Sequence, residues 1–193
     1  MDYYLTDKIY IRNNIMYFND KKINRNKWHT ILNEYGWEKI CLPWIKKLNK
    51  LSTVNYKNTP YAVYDCPTDG NCFYHCLANA LNEKFRFDTK EYDHKDIREL
   101  IADSINEKDF QLLMSYYRIM EDANDFDEKW DPYQISTIQD FKSKIKQDGN
   151  SYWGDYLLLN VITKKLKLNI LILNSDSNQK NYDIYNTLIE YNS

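Results

Sequence analysis

Histidine, glycine, proline and cysteine are all scarce in this chain: three, four, four and four among 193 residues. Neither sign of charge dominates, since 26 Lys and Arg face 28 Asp and Glu for a formal net charge of -2. That balance argues against a dedicated nucleic-acid binder, which carries a basic excess. No apolar run approaches the ~18 residues of a membrane-spanning helix, and the longest, around Tyr156–Ile162 and Ile170–Leu173, are core-sized. A secretory leader is not expected, because Asp2, Asp7 and Lys8 fall where its apolar stretch would lie. Four cysteines (Cys41, Cys66, Cys72, Cys76) are too few for a secreted disulfide framework at this length. Their spacing lacks a CxxC knuckle and a second pair, so no metal or other cofactor is expected. No internal repeat or low-complexity block stands out.

What is abundant is tyrosine, 18 residues of it, together with Asn, Ile and Lys. These residues share A/T-rich codons, so the skew reads as genome base bias and points to a source such as a large DNA virus, a protist or an endosymbiont. The length suits one domain with a modest appendage and a core that needs no staple.

Periodicity and punctuation divide the chain near residue 60. Before it, Lys8–Arg12 and Ile15–Phe18 read as a hairpin around Asn13-Asn14. Lys27–Asn33 and Trp37–Leu51 read as two short helices, with Pro43 breaking or starting one of them. Residues 1–60 are thus expected to form an N-terminal hairpin and helical extension. Its tryptophans are either core or a docking surface. After the polar stretch Lys50–Pro60, Tyr61–Asp65 reads as a strand, Cys66–Asn71 as a turn-rich loop and Cys72–Asn82 as a helix, with Phe73, Cys76, Leu77 and Leu81 on its apolar face. Further helices are expected over Lys95–Ile105, with Asp93 and Asp96 as a capping pair, over Phe110–Met120, over Ile138–Lys146 behind Thr137 and Asp140, and over Asp155–Lys165. Leu168–Leu173 and Tyr182–Tyr185 read as strands. The alternation implies an α+β (α/β-like) fold with helices around a small sheet.

Cys72 stands where a loop becomes a helix. A helix start favours the thiolate, through its free N–H groups and dipole, and the thiolate is the attacking form. The same amides suit the oxyanion that forms when a carbonyl is attacked. Gly70 permits a tight turn, and Asp69 can orient the loop by accepting backbone hydrogen bonds. The plainer alternative is that Cys72 is a small buried hydrophobe.

The heptapeptide Asp69-Gly70-Asn71-Cys72-Phe73-Tyr74-His75 resembles the nucleophile signature of the ovarian-tumour (OTU)-type cysteine proteases. Ser151-Tyr152-Trp153-Gly154-Asp155, with the helix and strand that follow, is similar to that family's Trp-Gly loop, and His94-x3-Arg98 to a His/Arg spacing on its second helix. The resemblance spans Tyr61 to the end. It implies a papain-like fold with a small central sheet packed between helices in a catalytic domain over residues 61–193. The implied activity is that of a thiol-dependent deubiquitinase, a hydrolase that cuts (iso)peptide bonds after the C-terminal glycine of ubiquitin or a ubiquitin-like modifier. It implies Cys72 as nucleophile, Asp69 as the loop carboxylate, and the amides around Gly70 and Asn71 as oxyanion support. Trp153 and Gly154 would wall the cleft, although Trp153 reads equally as a core tryptophan. The implied partners are ubiquitin-like conjugates in the cytoplasm (the host's, for a virus), with no nucleic acid, no membrane and an open oligomeric state.

A thiol protease needs a base, usually histidine. The family's histidine lies on a strand near the C-terminal end of the domain, yet none follows His94 here. His75 and His94 match positions that are not catalytic, and His29 belongs to the extension. Two readings stand: the chain is truncated before that strand, which we favour, or it is an inactive relative that binds ubiquitin.

Overall fold

Helix starts are fixed locally by side-chain caps. In the computed structural model, which describes residues 3–4, 8–13, 15–24, 26–51, 62–84, 90–175 and 182–189, Asp93 caps α4 (His94–Ser104) and Asp96 returns the bond to the Asp93 amide. Asn106 with Asp109 does the same for α5 (Glu107–Asp122), and Thr137 with Asp140 for α6 (Ile138–Lys146). Each reciprocal pair satisfies two amides that the helix itself leaves open. Asp155 caps α7 (Tyr156–Leu166) by accepting from the Leu158 amide. Lys167 closes α7 in the left-handed region at φ +52°.

These helices, with α3 (Cys72–Lys84), bury one continuous core. α4 lies at its centre and packs against α3, α6 and α7, while α5 packs against α6 and α7. An aromatic cluster of Tyr117, Phe126, Trp130, Phe141 and Tyr152 fills the space among α5, α6 and the loop before α7, with ring centroids 5.1–6.2 Å apart. α3 turns Tyr74, Leu77, Ala78 and Leu81 inward. The sequence reading placed Phe73 and Cys76 on that face. Phe73 is only half-buried and Cys76 is exposed, because the seat at this turn is taken by the larger Tyr74 ring.

The strands pair antiparallel in short sheets, which makes the class α+β. β1 (Tyr3–Tyr4), β2 (Ile9–Arg12), β3 (Ile15–Phe18) and β4 (Lys21–Lys22) form a four-stranded meander. The hairpin expected around Asn13 is β2–β3, and Asn13 takes the left-handed conformation that such a turn uses, although Asn14 lies outside the described residues. Ile9, Ile11, Met16 and Ile23 pack on Trp28 and Leu32 of α1 (Trp28–Asn33) in a second core. Trp28 and Trp44 are both buried, which favours the core role over the docking role for the tryptophans of this region.

One expectation is corrected here. Trp37–Leu51 is not a single helix: Trp37–Lys39 is strand β5, and α2 (Leu42–Leu51) begins only at Leu42, with Pro43 in its first turn. β5 pairs antiparallel with β6 (Ala62–Tyr64), where Trp37 stands opposite Tyr64 and their rings meet edge to face at 5.7 Å. That pairing reaches across the chain to the strand that leads into the Cys72 loop, and a local pattern could not reveal it. The boundary expected at residue 60 lies outside the described residues. β7 (Ile170–Ser175) and β8 (Tyr182–Ile189) form a last antiparallel pair. Among the described residues, no helix is long and apolar enough to cross a membrane.

Asp155 does more than cap. Burial raises its pKa, while the Leu158 amide donates to it. The Tyr117 and Tyr152 hydroxyls are themselves 2.8 Å apart inside the core. Asp155→Ala removes the cap, so a loss of about 1 kcal/mol is expected. Urea unfolding of the two proteins measures it.

Candidate functional site

The loop Asp65–Asn71 carries the chain from β6 into α3, and its shape is set by three residues. Asp69 Oδ1 accepts from the Asn71 amide at 2.9 Å, a local turn that draws the loop closed just before the helix. Gly70 sits at φ +86°, and a Cβ there would collide with Asn150, whose backbone N would lie only 2.6 Å away. Both the conformation and the space therefore require glycine. Asn71 is 3 % exposed, and its side-chain oxygen gathers three donors: Nε of Arg98 at 2.9 Å, Nη2 of Arg98 at 2.7 Å and the Gly149 amide at 3.1 Å.

Arg98 joins the pieces. It lies in α4 at 1 % exposure, and its guanidinium also donates to the carbonyls of Ile145 (2.8 Å), Gly149 (3.0 Å) and Tyr152 (3.2 Å). Its central carbon lies 3.9 Å from the centre of the Tyr74 ring. One side chain thus binds the loop before Cys72, the end of α6 and the segment leading to Trp153. The sequence reading noted Arg98 for its spacing only. A lone arginine on an otherwise amphipathic helix carries no signal of what it will bind.

Cys72 is the first residue of α3 and is exposed, which excludes the buried-hydrophobe reading. The Asn71 carbonyl accepts the first helical bond, from the His75 amide at 2.9 Å. The amides of the first turn have no acceptor within the helix and are disposed toward an anion at this point. Gly154 packs against the residue after the thiol: a Cβ at Gly154 would fall on the Phe73 ring. Trp153 is 55 % exposed, so it is not a core tryptophan. Its indole N–H donates to Asn150 Oδ1 at 3.1 Å and its amide to Glu128 at 3.2 Å. Cys72, Asp69, Gly70, Asn71, Trp153 and Gly154 therefore lie on two loops that touch.

Two histidines stand on the same rim. His75 Nε2 is 3.0 Å from Asp69 Oδ2, His94 Nε2 is 3.2 Å from Asp148 Oδ1, and the two rings are 4.6 Å apart. The hydrogen bonds from His75 and from the Asn71 amide lower the Asp69 pKa to about 2. Asp69 thus braces the loop through one oxygen and holds His75 through the other. His29 lies on α1 against the Trp28 ring. Among the described residues, no group of three or more His, Cys, Asp or Glu is placed to hold a metal ion.

Removing the arginine tests the junction. Arg98→Met leaves Asn71 and three carbonyls short of a donor and should cost at least about 3 kcal/mol. Arg98→Lys should recover only part of this, because an ammonium cannot reproduce the fork. Chemical denaturation of both variants measures the losses. The Asp69 bond has a pH signature. Its carboxyl is depressed in the folded state, so its stabilisation is present above the ordinary value of 3.8 and is lost as pH falls toward about 2. The stability difference between wild type and Asp69→Asn should shrink over that window. A difference that persists unchanged below it would show that ionisation of Asp69 is immaterial.

A model of the OTU-like cysteine protease family matches residues 67–192, about two-thirds of the chain and all of the site just described. No curated protein and no solved structure matches the chain significantly.

Proposed function

Because the chain belongs to the OTU-like cysteine protease family, we propose that it is a deubiquitinase-type thiol protease that cleaves after the C-terminal glycine of ubiquitin or a ubiquitin-like modifier. The observation that carries this reading is the exposed Cys72 thiol at the start of α3, behind a loop locked by Asp69, Gly70 and Asn71.

In this reading Cys72 Sγ attacks the glycine carbonyl carbon. The negative charge passes to the carbonyl oxygen, where the Cys72 amide and amides of the Asp69–Asn71 loop receive it. Collapse of the adduct breaks the C–N bond, the amine leaves with the proton that the thiol gave up to solvent, and water then cleaves the thioester to a glycine carboxylate and the free Cys72 thiol. Asp69 stays ionised and Arg98, acting through Asn71, holds the amides in place; both are positioning residues. The exposed Trp153 and the bare Gly154 edge suit a channel for a narrow, glycine-rich tail. Four free thiols fit a reducing compartment, and we place the protein in the cytoplasm.

A second reading is favoured by the histidines. His75 and His94 each bond a carboxylate, and neither is hydrogen-bonded to Cys72. A ubiquitin-binding module that shares the fold but lacks the base would look the same.

Ubiquitin carrying an electrophilic C-terminus separates the two. The protease reading expects a covalent adduct on Cys72, absent from Cys72→Ala, with slow turnover of conjugates by this chain that added imidazole accelerates. Saturable ubiquitin binding, equal in wild type and Cys72→Ala and without any adduct, would support the binding module and overturn the protease.

A further inference from the structure

The nucleophile loop carries a second sulfur chemistry. Cys66 lies in the loop between β6 and Asp69, and Cys76 lies one turn beyond Cys72 on α3. Their Sγ atoms are 3.3 Å apart, both as free thiols. A disulfide requires a separation of about 2.05 Å, so little more than an ångström of motion, within a loop and at an exposed helical position, would close the bond.

We propose that Cys66 and Cys76 are a modification site: a dithiol that closes reversibly to an intramolecular disulfide beside the nucleophile. The pairing needs only these two sulfurs and does not depend on whether Cys72 acts as a protease nucleophile. Cys76 is exposed and takes the oxidant first, while Cys66 is half-buried behind it. Burial and the neighbouring Cys76 push the Cys66 thiol up to about 12, so closure of the bond is slow at neutral pH and quickens as pH rises. With hydrogen peroxide, the Cys76 sulfur takes one oxygen to become a sulfenic acid and water leaves. The Cys66 sulfur then displaces that hydroxyl as a second water, carrying away the Cys66 proton. Two electrons pass from the two thiols to the peroxide. A thiol reductant reverses the bond by exchange. The ring so closed contains Asp69, Gly70, Asn71 and Cys72, so the bond staples the whole nucleophile loop to the second turn of α3.

The full chain with Cys72→Ser isolates the pair. After treatment with hydrogen peroxide, the intact protein should lose two hydrogens in mass. Chymotryptic cleavage after Phe73 or Tyr74 should then release the Cys66 and Cys76 peptides joined, and a reductant should part them. The joined species should vanish in Cys66→Ser and in Cys76→Ser. Two separate substitutions guard against one that fails to fold, which circular dichroism reports. In the wild-type chain under the same oxidant, the joined Cys66 and Cys76 peptides should form whatever the oxidation state of Cys72. Peptides oxidised singly but never joined, or a bond that instead joins Cys72 to either neighbour in the wild-type chain, would overturn the proposal.

Discussion

A guanidinium at 1 % exposure is costly unless each of its nitrogens finds an acceptor. Arg98 meets that demand with neutral oxygens drawn from three separate stretches of chain: Asn71, Ile145, and the pair Gly149 and Tyr152. The condition is mutual. Those carbonyls belong to segments that leave helical geometry, so they too need donors away from water. Because an arginine fork has fixed angles, satisfying it fixes the relative placement of α4, the Cys72 loop and the loop that ends at Gly154. The two contacting loops are in register because one cation is shared between them.

The glycines express the same constraint from the other side. Gly70 and Gly154 are the points where the loops come closest, to Asn150 and to the Phe73 ring. No side chain would fit at either place once Arg98 has drawn the segments together. Asp155 then anchors the far end of the second loop, with its half-buried carboxylate capping the first turn of α7. The exposed thiol and indole are thus carried on a rigid frame, while the groups that hold the frame are buried beneath them.

The rim above that frame carries two histidine–carboxylate bonds. The His75 and His94 rings meet at a tilt of 46°, and each bonds a carboxylate on a different loop. Asp69 is therefore shared between the backbone turn before Cys72 and a histidine one turn after it. Asp69 thereby fixes the orientation of the His75 ring.

What the sequence determined by itself was local. The capping pairs at Asp93 and Thr137, the turn at Gly70 and the helix start at Cys72 are each encoded within a few residues, because a helix end or a tight turn is satisfied by its immediate neighbours. The Asp-Gly-Asn-Cys run, with the later Trp-Gly pair, likewise sufficed to point to the family. Even locally there were misses: the Asn106–Asp109 box begins α5 a turn earlier than periodicity indicated. What only the tertiary structure decided was every feature that depends on a distant partner. Trp37–Lys39 became a strand because β6 offered an edge, Trp153 lay exposed because Tyr152 took the core, and Cys66 met Cys76 because the loop folds back along α3. Above all, Arg98 became the centre of the site through bonds to residues 27 to 54 positions away. A side chain's own sequence window says that it must be satisfied, and only the folded chain says by what.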